Sequence, residues 1–295
     1  RQAKRLFPVV ASGGILGSML GGGAAAALVK QIGTEHLVLV LIAPLGLSVV
    51  LVQVLMRRYA QAGRRSGATP GREEGKKGTE TVIKAIAGRR YLRLIAALLG
   101  LSAIATLLVD FQFKVVVQGA IASKDQLTSF FGSFYAYLGA FSFLLQLGAG
   151  SRVVERYGVR TTLLALPLTL IAGTMVLLAF PLRLWAGSLL KGSDATLRYS
   201  VDKSAVELLY LPVPASLRAE VKAVIDMVLQ RLADGVGGVL LLLMTRVFGL
   251  GLSGVGGMNL VLIAIWVWVA LQARKEYVAA IRANLSERPA LPRST

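Results

Sequence analysis

The residues richest in chemistry lie in LRLWAGSLLKGSDATLRYSVDKSAVELLYLP, from Leu182 to Pro212. Lys191, Asp194, Arg198 and Asp202 stand three or four residues apart in a stretch that is otherwise apolar, so a helix lines them up on one stripe. Each such charge inside a bilayer costs about 2.5–3.5 kcal/mol on insertion scales. Four in a row persist only where they face a watery cavity, pair with one another or hold something charged. Two cations against one carboxylate in the deeper part (Lys191, Asp194, Arg198) suit an anionic substrate such as a phosphate ester. Lys203 and Glu207, four apart nearer the end, read as a structural pair.

Two further segments repeat the pattern. In LRAEVKAVIDMVLQRLADGVGG, Lys222, Asp226, Gln230 and Asp234 form an i+4 row with Arg231 beside it. Lys222 and Asp226 suit an interfacial pair; Arg231 and Asp234 suit either a gating ion pair or a substrate contact. In VDFQFK, Asp110 and Lys114 sit one turn apart, either neutralising each other or opening to receive an anion. The run SFFGSFYAYLGAFSF offers Phe131, Phe134, Tyr135, Tyr137 and Phe141, rings that could stack a purine or simply pack helices. GAGSRVVERYGVR places Arg152, Glu155 and Arg156 in a tight charged turn, suited to holding helices together in one conformation and releasing them in another.

These residues need apolar helices to position them. Hydrophobic residues make up 55% of the 295, and the mean hydropathy is +0.66. Eight segments approach the ~20 residues that a bilayer requires: 8–29, 37–56, 91–117, 127–149, 160–181, 183–210, 220–247 and 255–274. Lys and Arg collect at alternate ends, and the 57–90 loop alone holds ten of them against three Glu. That alternation puts both termini in the cytoplasm. Gly, Pro and charge make the first part of this loop a solvated linker, while TVIKAIAGRRYLRLI restarts as helix. Gly13, Gly17 and Gly21, with Gly14, Ser18 and Gly22, give the first span two small-residue rows for close packing.

Several function classes drop out. There is no Cys and one His, so disulfides, thiol chemistry and His-based metal or triad sites have no residues to build them. No Gly-rich loop ends in Gly-Lys-Ser/Thr. The net charge of +18 lies mostly in connecting segments, as membrane topology demands, and is not a nucleic-acid footprint. The expectation is an all-α membrane protein with no cofactor and no metal, in contact with the lipid bilayer and an anionic small molecule, and no enzyme.

Four strings carry a family resemblance: RQAKRLFPVVASGGILGSMLGG at the start, VDFQFK at 109–114, KGSDATLRYSVDKSAVELLYLPVP at 191–214, and LRAEVKAVIDMVLQRLADGVGG at 217–238. They resemble the ATP/ADP translocases of bacteria and plastids, closer still to a free-living bacterial branch; GSRVVERYGVR is similar to the loop signature of the major facilitator superfamily. The resemblance implies a major facilitator-type bundle of twelve helices in a bacterial inner membrane, of which this chain holds the last eight. Residues 1–56 would close the first half, 57–90 join the halves, 91–283 form the second six-helix half and 284–295 a tail. Four preceding helices of the same parent chain become expected partners. Nucleotide exchange by alternating access follows, with Lys114, Lys191, Arg198 and Arg231 attracting phosphate. Asp110, Asp194, Asp202, Asp226, Asp234, Arg152, Glu155 and Arg156 would supply ion pairs and gates. A carrier of another organic anion or a lipid, and a carrier-fold sensor attached to soluble domains, are the competing readings.

Overall fold

Long runs of Leu, Val, Ala and Ile without interior breaks, in a chain whose backbone must bond to itself inside lipid, fold as helices. The computed structural model describes residues 2–40, 42–65, 79–148 and 150–286, and no strand occurs among them. The chain runs α1 (Gln2–Val40), α2 (Ile42–Arg65), α3 (Thr79–Gly88), α4 (Arg90–Ala120), α5 (Lys124–Gly148) and α6 (Gly150–Ala179). It continues through α7 (Leu184–Leu197), α8 (Lys203–Leu209), α9 (Ala215–Ala223), α10 (Gln230–Leu242) and α11 (Leu252–Ser286). The result is an all-α, multi-pass membrane bundle.

Among the described residues, six stretches are long and apolar enough to cross a membrane, where the sequence suggests eight segments. One of the six, Gly17–Arg58, takes in the expected span 37–56 and the part of 8–29 from Gly17 on. Its 42 residues would reach about 60 Å as one helix, twice a bilayer core. Gly33, at φ 76°, interrupts it in a backbone conformation that glycine adopts freely, between the two expected spans. The other shortfall is 183–210, too rich in charge to qualify by composition, yet helical over most of its length.

The charged helices are not regular. α7 passes into α8 through Arg198–Asp202, where the Lys203 amide reaches back five residues to the Arg198 carbonyl. α9 passes into α10 through Val224–Leu229 in the same way, and α10 ends in a third such turn, Leu243–Val247. Widened π turns of this kind cost hydrogen-bond quality and concentrate at functional sites. The helix restart after the linker is present but divided: α3 ends at Gly88, Arg89 is extended, and α4 begins at Arg90. Val82 and Ile86, one turn apart, bury α3 against the core.

α4 lies at the centre, with α7, α10 and α11 packed against it. Ile95, Leu98, Ala105, Val109 and Val116 of α4 join Leu166, Leu170 and Leu177 of α6 and Ile263, Trp266 and Ala270 of α11 in one core. α1 packs along α5 where Gly22 faces Gly132: a Cβ on either glycine would stand 2.7 Å from the other's carbonyl oxygen. Farther along, the Thr34 amide, at 2.9 Å, and its hydroxyl, at 2.7 Å, both donate to Asp125 Oδ1 at the start of α5. From Ile42 to Arg58, α2 is exposed throughout its described side chains, apart from those ties of α1 to α5.

Candidate functional site

α4 and α7 run antiparallel and in register, and the polar residues of each meet those of the other. Along α4 these are Ser102, Thr106, Asp110 and Lys114, spaced four apart in an otherwise mostly apolar helix; along α7 they are Lys191, Asp194 and Arg198. Ser102 Oγ accepts from Arg198 Nη1 at 2.9 Å. Thr106 Oγ1 donates to Asp194 Oδ1 at 3.3 Å, and Asp110 Oδ1 pairs with Lys191 Nζ at 3.1 Å. Within α7, Asp194 also takes Arg198 Nη2 at 3.0 Å and Lys191 Nζ at 3.6 Å. Within α4, Lys114 Nζ reaches Asp110 Oδ2 at 2.6 Å.

The product is a continuous ladder, Lys114–Asp110–Lys191–Asp194–Arg198–Ser102. Twelve residues of α4 make it about 18 Å long. Exposure is highest at one end and lowest inside: the Lys114 side chain is 55% exposed, that of Lys191 10%, that of Asp194 1% and that of Arg198 20%. Three cations against two carboxylates leave a charge of +1, most accessible at Lys114 and most desolvated about Asp194. Such an array attracts an anion, because a phosphate oxygen can replace a carboxylate oxygen as partner of each cation. No group of His, Asp and Glu fit to hold a metal occurs among the described residues.

The sequence stripe therefore divides. Lys191, Asp194 and Arg198 join Asp110 and Lys114, but Asp202 does not: it is buried at 5% exposure, its Oδ1 lacks a hydrogen-bond partner, and it enters no ion pair among the described residues. The π turn ends beside it, and Arg198 has turned instead toward α4. Arg231 and Asp234 pair with each other at 3.7 Å, apart from the ladder. Ala233 and Gly237 face α4, which leaves Arg231, 85% exposed, on the opposite side of α10. Two local pairings are corrected. Glu207 bonds Lys222 across the α8–α9 turn rather than Lys203, and Lys222, thus engaged, forms no ion pair with Asp226. Asp226 is exposed. The side chains of Arg152, Glu155 and Arg156 lie outside the described residues; below them, Gly158 breaks α6 at φ 71°.

Ser102 and Thr106 were missed in the reading by charge alone. Their signal was present as the four-residue spacing Ser-Thr-Asp-Lys, 102, 106, 110 and 114. Part of the aromatic run packs: Phe113 of α4, fully buried, lies 4.8 Å from the Phe134 ring and edge-on to Phe131 at 5.7 Å, and Tyr135 stacks on Phe131, while Tyr137 and Phe141 are exposed.

Comparison with known proteins supplies the remaining context. A family model described as TLC ATP/ADP transporter matches residues 1–183. The "ADP,ATP carrier protein 1, chloroplastic" of Arabidopsis thaliana is 24% identical over 249 residues, covering 77% of this chain and 39% of the relative. The chain thus spans about two-fifths of the length of that curated relative. No solved structure matches the chain.

Proposed function

Because that model matches residues 1–183 of the 295, the chain belongs to the TLC ATP/ADP transporter family, and we propose from this premise that it works within a secondary carrier exchanging ATP and ADP, or a related phosphorylated anion. The length of the relative left uncovered and the exposed α2 support four further helices as partners; the alternation of Lys and Arg supports both termini of this chain in the cytoplasm, and a bacterial inner membrane rests on the family resemblance alone. The domain division 1–56, 57–90, 91–283 and 284–295 belongs to the same reading.

The ladder carries it. In the empty carrier, Asp110 and Asp194 hold Lys114, Lys191 and Arg198. An arriving phosphate meets Lys114 first, then competes with the carboxylates for Lys191 and the planar fork of Arg198. Swapping internal pairs for substrate pairs gives the two conformations different affinities for the anion, which alternating access requires. Ser102 fixes the guanidinium while this happens. Arg231 would meet substrate only from the exposed side of α10, with Asp234 as its resting partner. Asp226, Arg152, Glu155 and Arg156 are assigned to gating on the opposite, cytoplasmic ends of the helices.

Labelled ATP uptake into liposomes containing the complete carrier tests this reading. Uptake that requires internal ADP, and is lost in Lys191→Ala and Arg198→Ala, supports it. Normal ATP affinity in both variants removes the ladder from the substrate site.

A further inference from the structure

Asp202 is the charged member of the stripe that the ladder leaves out. It is 5% exposed, its Oδ1 has no partner, and no ion pair among the described residues includes it. Arg198, four residues earlier, gives Nη1 to Ser102 and Nη2 to Asp194, leaving its own buried Nε unpartnered. Among the described residues, the segments packed on the π turn show no ion pair to Asp202. On α7, Lys191 is held by Asp110 and Asp194. On α8, Lys203 is exposed and Glu207 is engaged by Lys222. α5 carries Lys124 and Asp125 only at its far end, with Asp125 bonded to Thr34; Tyr135 is stacked on Phe131 and Tyr137 is exposed. On α6, the side chains of Arg152, Glu155, Arg156, Tyr157 and Arg160 lie outside the described residues. The Tyr199 side chain, within the turn itself, does so too.

A buried carboxyl group with one oxygen left unpartnered is stabilised in place when it holds a proton. We propose that Asp202 is a proton-binding site of the carrier, filled when a phosphate group binds at Arg198. The inference rests on the proposed reading of the ladder as a phosphate site. Charge makes the coupling. Lys114, Lys191 and Arg198 against Asp110 and Asp194 leave +1; an ionised Asp202 cancels it, and a protonated one restores it for the anion. The proton comes from water on the side that the cavity faces and leaves to water on the other side with the anion, so each phosphate anion travels with one proton and no further reactant.

Infrared difference spectra of the complete carrier in nanodiscs, wild type minus Asp202→Asn, read the carboxylic-acid carbonyl band of this residue, with inorganic phosphate and ATP as probes. The expected result is a band absent from Asp202→Asn that grows when either probe is added. Calorimetry in two buffers of different ionisation heat should show one more proton taken up per anion by wild type than by the variant. By linkage, wild-type affinity then falls about tenfold per pH unit relative to Asp202→Asn once the site empties of protons; the probes' own protonation is common to both proteins and cancels. Asp202→Glu keeps the acid and should recover both the band and the proton, which separates the role from a folding defect. A carboxylate band throughout, or equal proton uptake, overturns the proposal. A band responding to phosphate and not to ATP keeps the proton site and removes the nucleotide reading; ADP-dependent ATP exchange without the band does the reverse.

Discussion

Asp194→Asn separates a competitor for the substrate from a mere prop of the fold. The carboxylate is 1% exposed and receives Arg198 at 3.0 Å, Lys191 at 3.6 Å and Thr106 at 3.3 Å. At 3.0 Å the Arg198 pair alone has a gross attraction on the order of 5 kcal/mol with an effective dielectric of 20. Lost hydration offsets most of that, and a charge-assisted bond nets about 1.5–3 kcal/mol. If a phosphate must displace Asp194 from Arg198, removing the negative charge spares the substrate this cost. At about 1.4 kcal/mol per factor of ten, ATP should bind roughly tenfold to a hundredfold more tightly. The empty variant meanwhile holds two poorly compensated buried cations, so it should unfold at lower temperature and regain stability when ATP is added. Exchange should slow, because the empty carrier lacks the internal pair on which its return depends. Titration calorimetry, thermal unfolding with and without ATP, and liposome exchange read the three effects. A folded Asp194→Asn protein that binds ATP as wild type does, or more weakly, refutes the displacement argument.

Ser102→Ala frees Arg198 Nη1 while leaving every charge in place, so ATP affinity should fall about tenfold, the worth of one charge-assisted hydrogen bond, with Lys114 still reactive toward amine reagents. Arg198→Ala should weaken ATP binding far more than Arg231→Ala does, since Arg231 stands 85% exposed and outside the ladder; equal losses would move the site toward α10. Gly132→Ala places a methyl 2.7 Å from the Gly22 carbonyl and 2.9 Å from the Ala26 amide nitrogen, so α1 and α5 must part. Thr34→Cys with Thr128→Cys, at a pair whose hydroxyls stand 3.0 Å apart, should cross-link α1 to α5 in the wild-type packing and less readily once Gly132→Ala is added, and exchange by Gly132→Ala should fall; wild-type exchange there would show the contact to be dispensable. Anion binding should weaken as salt rises, most steeply through the exposed Lys114, and salt-independent affinity would argue against a cationic mouth.

The helices and their apolar faces could be read from sequence because each is local: a run of Leu, Val and Ala long enough to cross lipid needs no partner to be recognised. The Gly33 break falls where two spans were separated by charge and a His, and the charged stripe from Lys191 to Arg198 faces one way as its spacing requires. What spacing could not provide is the register between chains of residues 80–100 positions apart. Asp110 reads from its spacing as a partner of Lys114, and in the bundle it serves Lys191 as well. That outcome depends on how closely α7 approaches α4, where Gly187 would set a Cβ 3.1 Å from Val116 Cγ1. Ser102 and Thr106 were invisible to an argument from charge for the same reason, since each acquires its meaning only from the residue opposite.

The same dependence explains why Asp202 leaves a stripe to which its spacing assigns it. One residue added to a helical turn rotates everything beyond it by most of a right angle, and the π turn at Arg198–Asp202 falls at the lower end of the ladder. Lys191 and Asp194 of α7 and Arg198 at the head of the turn face α4 and are paired; at the turn's end, Asp202 is buried with an orphan oxygen. A straight helix would have offered Arg198 two carboxylates on one face, with Asp194 above and Asp202 below, and a guanidinium so enclosed is a poor ligand for phosphate. The turn withdraws one of them. Arg198 is left with a single carboxylate competitor and a hydroxyl that cannot neutralise it, and once Asp202 holds its proton the ladder keeps the positive charge on which its attraction for an anion depends. Straightening the turn by deleting one residue within 199–201 should therefore bring Asp202 against Arg198 and abolish ATP binding in a protein that still inserts; retained affinity in that variant would mean that the irregularity serves packing alone.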